Sequence, residues 1–146
     1  MRELDRSTFI RNLETAEQLT LRDGHGGELA GVAGRTGACA EGYFGHRMGL
    51  DQITMQPDTE FELHEHPGDH ILYVLGGEGG ITIGGESYPL RAGDSVFVPA
   101  EYPHGVTAAG SRVPLRFLAF GVPHRALESD DRMRLVDPGP ATDATR

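Results

Sequence analysis

The sequence predicts an all-β fold, a sandwich or barrel of short strands, and two observations support this prediction. Between Leu50 and Gly121, short apolar or alternating runs recur along the chain, which is the pattern typical of strands. Turns rich in glycine and proline separate these runs at roughly the 8- to 12-residue spacing of small β-folds, and no βαβ rhythm is present. The chain has 146 residues, enough for one domain with one sizeable core.

Residues 1–49 are expected to form an N-terminal arm that packs on the barrel. Ser7 or Thr8 could cap a short helix over residues 9–16, where apolar side chains recur at weak helical spacing. Glycines interrupt residues 23–49, so that only short strand candidates such as 41–48 are predicted there.

Residues 50–121 are expected to form the barrel core. Gly84-Gly85 separates two apolar runs and predicts a two-residue hairpin, because glycine supplies the positive φ of a primed turn. The predicted strands of the core lie at 51–56, 60–66, 70–75, 80–83, 86–90, 95–98, 104–109 and 113–121.

The C-terminal end is expected to carry a short extension. Residues 122–136 are predicted to be a helical segment, with one helix over 125–136. Residues 137–146 are small, polar and interrupted by proline, and predict a disordered tail.

Composition excludes several kinds of site. All 13 basic residues are arginine, and without lysine there is no Schiff-base chemistry and no P-loop lysine. The single Cys39 excludes an intrachain disulfide and a cysteine-rich zinc site. The net charge of −9 argues against nucleic acid and anionic membranes as partners. The polar start and the lack of a long apolar run predict a soluble, cytoplasmic protein.

Four histidines occupy positions typical of a metal site. His64 and His66 are two residues apart in a predicted strand and therefore project from the same face. His70 opens the next strand after a turn, and His104 heads a distant strand. Converging imidazoles suit a divalent transition metal such as Fe, Mn, Ni, Co, Cu or Zn.

Two motifs resemble those of the cupin superfamily, G(x)5HxH(x)3–4E(x)6G and G(x)5PxG(x)2H(x)3N. His64, His66, His70 and Gly77 match the spacing of the first motif. The second motif is matched by Gly93, Pro99 and His104. The resemblance covers residues 50–121 and implies a single-domain cupin, a jelly-roll barrel that binds one metal through His64, His66, His70 and His104. It also implies a homodimer, since cupins often pair through sheet edges or N-terminal arms.

The sequence departs from these motifs at four positions. Asp58 and Glu101 replace glycines and Ala108 replaces an asparagine, changes that we expect to alter turns but not the fold. His70 replaces the usual glutamate, so four neutral histidines leave a divalent site at +2 instead of +1. A more positive site is a stronger Lewis acid, binds anionic ligands better and disfavours oxidation of its metal.

Strand alternation predicts what surrounds the metal. If His64 and His66 face inward, Glu62 does too and is a candidate general base; the alternative is a surface carboxylate displaced by a bulge. Leu72 and Val74 should follow His70 inward, with Val106 and Ala108 following His104, which predicts a mostly apolar cavity. His25 and His124 are interpreted as loop residues, and His46 as a surface residue, with an approach to the pocket as the alternative.

The function expected from this site is that of a metal-dependent enzyme acting on a small organic molecule. The first hypothesis is a dioxygenase or oxidative-cleavage enzyme. The second is a non-oxidative Lewis-acid isomerase, cyclase or lyase that uses the same metal. The third is a non-catalytic barrel that binds a small molecule.

Overall fold

The computed structural model describes residues 3–137, and strands dominate this part of the chain. A four-residue helix, α1 (Arg6–Phe9), precedes them. Eleven strands follow: β1 (Leu19–Arg22), β2 (Glu28–Glu41), β3 (Arg47–Met55), β4 (Glu60–Glu65), β5 (Asp69–Gly76), β6 (Gly79–Ile83), β7 (Glu86–Leu90), β8 (Ser95–Val98), β9 (His104–Thr107), β10 (Leu115–Val122) and β11 (Arg134–Leu135). The prediction of an all-β fold is confirmed.

The strands form two antiparallel sheets. A six-stranded sheet has the order β1-β2-β3-β10-β5-β8, and a five-stranded sheet has the order β11-β4-β9-β6-β7. The apolar faces of the two sheets supply one buried core, which is the arrangement of a jelly roll, although the two sheets do not close on one another by hydrogen bonds. The hairpin between β6 and β7 turns at Gly84 and Gly85 with φ of 63° and 80°, as predicted.

The N-terminal region contributes strands to the barrel itself. β2 pairs with β3 along most of its length, and Leu21 and Val32 are buried in the core. The glycines of β2 suggested turns, but pairing on both edges stabilises this strand in spite of its low intrinsic preference. A strand over 41–48 was the expectation; the structure instead has the end of β2, a 3₁₀ turn at Tyr43–Gly45 and the start of β3.

The N-terminal helix is shorter than predicted. Its cap is Asp5, whose Oδ1 accepts a hydrogen bond from the Ser7 backbone at 2.9 Å, and the helix ends at Phe9 instead of reaching residue 16. The predicted stripe was weak, and none of the helical residues is buried, so packing does not extend the helix.

The prediction of a helix over 125–136 is wrong. Turns occupy this segment until β11, which pairs with β4. Ser129 and Asp131 hydrogen-bond to one another at the centre of the segment, a local alternative to helical bonding. Leu127 and Met133 are buried in the core. The predicted disordered tail, apart from Asp137, lies outside the described residues.

No helix among residues 3–137 combines the length and the apolar character needed to cross a bilayer.

Candidate metal site

Two paired strands position the first two histidines. His64 of β4 lies directly opposite His104 of β9 in the antiparallel register, and their ring centroids are 4.3 Å apart. Both side chains are buried between the sheets. Cross-strand neighbours on one face are close enough for their side chains to act on a common ligand.

The loop after β4 adds the third histidine, His66. Its carbonyl oxygen accepts a hydrogen bond from the Glu101 backbone at 2.9 Å, and the Ala100 backbone donates to Asp69 Oδ1 at 2.9 Å. These bonds tie the loop that carries His66 to the loop that precedes His104. His66 is buried, and its ring centroid lies 5.6 Å from that of His64 and 4.9 Å from that of His104.

The three histidines form a group suited to one metal ion. Each offers a ring nitrogen, and the three nitrogens lie within 4.8 Å of one another. Backbone carbonyls orient two of the rings: His64 Nδ1 lies 2.6 Å from Glu62 O, and His104 Nδ1 lies 2.8 Å from Tyr102 O. With Nδ1–H as the donor in these contacts, Nε2 of each ring is left with its lone pair free, as in many histidine metal sites.

Burial keeps the histidines of this group neutral. It lowers the pKa of His64 to about 3 and that of His66 to about 4, and it also lowers the pKa of His104. Neutral imidazole is the form that binds metal. Nδ1 of His66 is buried with no hydrogen-bond partner among residues 3–137. An unpartnered buried nitrogen beside two oriented imidazoles fits a bound cation.

His70 lies beside the group but is not one of its three members. It begins β5, and its ring centroid is 4.3 Å from that of His66. Burial lowers its pKa to about 2. The part of the site that the structure brings together is therefore His64, His66 and His104, with His70 adjacent.

A small cavity of about 40 Å³ contains all four histidines in its wall. The rest of the wall is apolar except for one charged side chain, Arg132. The apolar residues come from both sheets and the C-terminal segment: Ile53, Phe61, Leu72, Val106, Phe117, Ala119 and Met133. The prediction of a mostly apolar cavity, with Leu72, Val74, Val106 and Ala108 buried, is confirmed.

Behind this cavity lies a buried polar network that the sequence analysis missed. Asp51 of β3 accepts a hydrogen bond from Thr36 at 2.9 Å and lies 2.9 Å from His124 Nε2. Arg132 Nη1 lies 3.6 Å from Asp51 Oδ2 and donates to the Arg125 carbonyl at 3.1 Å. His124 lies in a loop, as predicted, but its side chain is buried against Asp51, a contact that the sequence did not indicate. The sequence signal that could have revealed this network is Asp51, a charged residue at an inward-facing position of the alternating strand β3.

Of the two alternatives for Glu62, the structure shows the surface carboxylate displaced by a bulge, and the inward orientation is wrong. A bulge between Phe61 and His64 shifts the alternation of β4, so Phe61 and His64 are buried while Glu62 faces out. The Glu62 side chain is 51% exposed and lies 3.2 Å from His25 Nε2. The assignment of Glu62 as general base required an inward-facing side chain, and the structure does not show that orientation. His46, which was expected on the surface, is exposed.

Comparison with known proteins finds a family match over the region that contains the four histidines. A family model described as Cupin domain matches residues 52–121. An oxalate-binding protein from Thermotoga maritima is 33% identical over 69 residues, which is 47% of this chain and 56% of that protein. This chain spans less than two thirds of the length of each curated relative that it matches.

Solved structures share the fold. An RmlC-like cupin from Shewanella frigidimarina superposes with a TM-score of 0.63 at 22% identity, covering 80% of this chain and 91% of that one. The polyketide cyclase RemF from Streptomyces resistomycificus gives a TM-score of 0.60 at 20% identity, with coverage of 86% and 81%. At these identities the likeness concerns the fold alone.

Proposed function

We propose, on the support that the family match and the structural neighbours give for the cupin superfamily, that this protein is a metal-dependent enzyme acting on a small organic molecule. The observation that carries the proposal is the cluster of His64, His66 and His104 in the wall of a narrow apolar cavity. Three neutral imidazoles form a donor set for one divalent transition metal. We assign His70 as the fourth ligand, because its ring contacts that of His66.

Among the chemistries open to such a site, the donor set favours non-oxidative Lewis-acid catalysis, such as isomerisation, cyclisation or lyase chemistry. A divalent ion held there supplies Lewis acidity toward a carbonyl or related oxygen. All four histidine donors are neutral, and among residues 3–137 the cavity wall contains Arg132 but no carboxylate. Without an anionic ligand, oxidation of the metal is disfavoured. Electron donation from the metal to dioxygen is therefore disfavoured too, because it requires that oxidation. A dioxygenase is therefore the second choice.

This chain's own residues would orient the ligand and exclude water. The apolar side chains from both sheets, among them Phe61 and Phe117, restrict the cavity to a ligand of few atoms. Burial keeps the imidazoles neutral and their lone pairs available. In such an apolar site, electrostatic interactions with a developing negative charge are stronger than in water.

A non-catalytic binding role is the competing proposal, and one finding favours it. The Thermotoga relative, 33% identical over the matched region, is named for binding oxalate. A protein of this kind would take up metal and ligand without turnover.

Metal analysis and turnover with and without oxygen test these proposals. We expect one divalent ion per chain after loading with Mn, Fe, Co, Ni, Cu or Zn in turn. We then expect conversion of an enolisable carbonyl compound from a screened set, at equal rates in air and under argon. Failure of the full-length protein to bind any of these ions would reject the enzyme proposal at its first step. Loss of turnover under argon, with oxygen consumed in proportion to product, would instead favour the dioxygenase.

A further inference from the structure

Arg132 is buried in the wall of the histidine cavity, yet most of its hydrogen-bonding groups have no protein partner. Its exposed fraction is 9%. A guanidinium carries five N–H donors in a planar fork. Among residues 3–137, the acceptor within hydrogen-bonding distance of the side chain is the Arg125 carbonyl, which accepts from Nη1.

The nearest carboxylate does not satisfy the remaining donors. Asp51 Oδ2 is 3.6 Å from Arg132 Nη1, beyond normal hydrogen-bond length. Both oxygens of Asp51 are engaged at 2.9 Å by other side chains, Thr36 and His124. Asp51 therefore balances the charge of Arg132 at a distance of 3.6 Å without accepting a short hydrogen bond from its guanidinium group.

The unpartnered N–H donors of Arg132 are not among the fully enclosed polar atoms of residues 3–137, so they keep access to the cavity, and a ligand there can accept hydrogen bonds from them. The open side of Arg132 belongs to a cavity whose other polar members in the described chain are four histidines, and none of these is an anion. A carboxylate is planar and accepts two parallel hydrogen bonds from a guanidinium, which makes it the natural partner for such a fork.

We propose that Arg132 is the residue that binds the carboxylate of a small organic acid in this cavity, with Asp51 as its positioning residue. Nε–H and Nη2–H donate to the two carboxylate oxygens, and the rest of the ligand lies toward His64, His66 and His104. The inference deepens the proposed function, on which it rests for the identity of the cavity as the active site. It restricts the substrate class to small carboxylic acids.

Titration of full-length protein with propanoate, followed by the Arg Nε–Hε signals in ¹⁵N–¹H spectra, tests the proposal. Propanamide serves as the uncharged ligand of the same shape. The titration is made on metal-free and on Zn-loaded protein, because a metal alone also attracts carboxylates. We expect a saturable shift of the Arg132 signal with propanoate, and binding of propanamide at least tenfold weaker in both forms.

Substitutions of Arg132 separate charge from geometry. Arg132→Gln should weaken propanoate binding at least tenfold in the metal-free protein, and Arg132→Lys, which keeps the charge but loses the fork, should give an intermediate loss. The matched control is Arg134→Gln, since Arg134 lies on β11, is exposed, and pairs with Glu65 at 2.7 Å. It should bind propanoate like the wild type.

Three results would overturn the assignment. The first is binding of propanoate by Arg132→Gln within twofold of wild type. The second is an Arg132 signal in wild-type protein that does not respond to propanoate, a measurement that stands even if the variants do not fold. The third is tighter binding of inorganic phosphate than of propanoate. Metal content is measured throughout. Full Zn loading with any of these results rejects the role of Arg132 alone, whereas failure to bind any of Mn, Fe, Co, Ni, Cu and Zn rejects the proposed function.

Discussion

The carbonyl oxygens of Glu62 and Tyr102 decide which ring nitrogen of the neighbouring histidines remains free. Each carbonyl contacts Nδ1 of the histidine two residues further along the chain, at 2.6 Å for His64 and 2.8 Å for His104. This geometry repeats on two strands that pair with one another. It orients both rings before any ion binds, which reduces the conformational entropy lost on metal binding.

Replacement of His66 or His104 by alanine should remove most of the metal affinity. Loss of one ligand from a three- or four-histidine site should weaken binding by at least about 100-fold, more than the loss of an outer partner does. The control is His46→Ala, because His46 is an exposed histidine outside the cavity. Metal content after dialysis, measured by mass spectrometry, checks this. Near-full occupancy in His66→Ala and His104→Ala would contradict the site.

The substitution His70→Glu should keep the metal but lower the reduction potential of the Fe-loaded protein. An added carboxylate changes the charge of a divalent site from +2 to +1 and stabilises the oxidised ion. Voltammetry of the wild type and the variant measures the difference. An unchanged potential with metal bound would show that His70 does not reach the ion.

At the scale of the elements, two of the residues that depart from the histidine motifs lie in the left-handed region of the backbone. Asp58 and Glu101 stand where the resembling motifs have glycine, and both adopt positive φ, 63° and 59°. Asp58 Oδ1 accepts a hydrogen bond from the Gly110 backbone at 2.9 Å, which offsets part of the cost of this conformation. Both residues thus adopt the left-handed conformation that glycine favours, and His64 and His104 lie opposite one another in the strand register.

The glycine pair at the end of β5 offers a matched test of backbone constraint. A Cβ at Gly77 would lie 1.9 Å from the Pro114 carbonyl oxygen, and its φ is +88°, whereas a Cβ at Gly76 meets nothing within 4 Å. Gly77→Ala should destabilise the fold by about 2 kcal/mol or more, and Gly76→Ala should be neutral or slightly stabilising. Urea unfolding of both variants checks this; equal stability would contradict the turn geometry.

The bulge in β4 determines which side chains of this strand face the cavity and which face solvent. It allows Phe61 and His64, three residues apart, to be buried on one side while Glu62 pairs with His25 outside. Plain alternation would have put Glu62 in the cavity. One local irregularity of the strand thus keeps the Glu62 carboxylate out of the cavity wall.

At the scale of the whole molecule, Asp51 connects three separate parts of the chain. Its oxygens bind Thr36 of β2 and His124 beyond β10, and attract Arg132 near the C-terminal strand. The network connects the C-terminal segment to the barrel, and Arg132 and Met133 of this segment form part of the cavity wall.

Asp51→Asn should therefore destabilise the protein by about 2–4 kcal/mol, because it leaves buried partners of a charged group incompletely satisfied. Asp130→Asn is the control: Asp130 pairs with Arg22 at 3.2 Å on the surface, where an ion pair contributes about 1 kcal/mol or less. Chemical denaturation of the two variants measures the difference. Equal effects would mean that the Asp51 network does not hold the C-terminal segment.

The buried histidines also give the metal-free protein a defined pH dependence. Their folded pKa values, about 3 for His64 and about 4 for His66, lie below the ordinary 6.5, so the unfolded chain binds more protons than the folded chain in this range. Stability should be constant with respect to these groups above pH 6.5 and fall as the pH decreases toward about 4, by up to about 1.4 kcal/mol per pH unit for each group. Thermal unfolding of chelator-treated protein between pH 7 and 4 checks this. Replacing His66 by Ala should reduce the slope, and an unchanged slope would contradict the assignment.

The sequence by itself determined the all-β class, the strands from β4 to β10 to within about two residues, the Gly84-Gly85 hairpin and the histidines at the site. Each of these depends on spacing within a strand or on the chemistry of a turn, and such signals are local.

Only the tertiary structure decided that β2 belongs to the sheet, that Glu62 faces outward, and that Asp51, His124 and Arg132 meet behind the cavity. These features join segments up to 81 residues apart in sequence, from Asp51 to Arg132. Their contacts arise from burial of polar groups that must find partners, and periodicity along one strand carries no record of which distant segment supplies them.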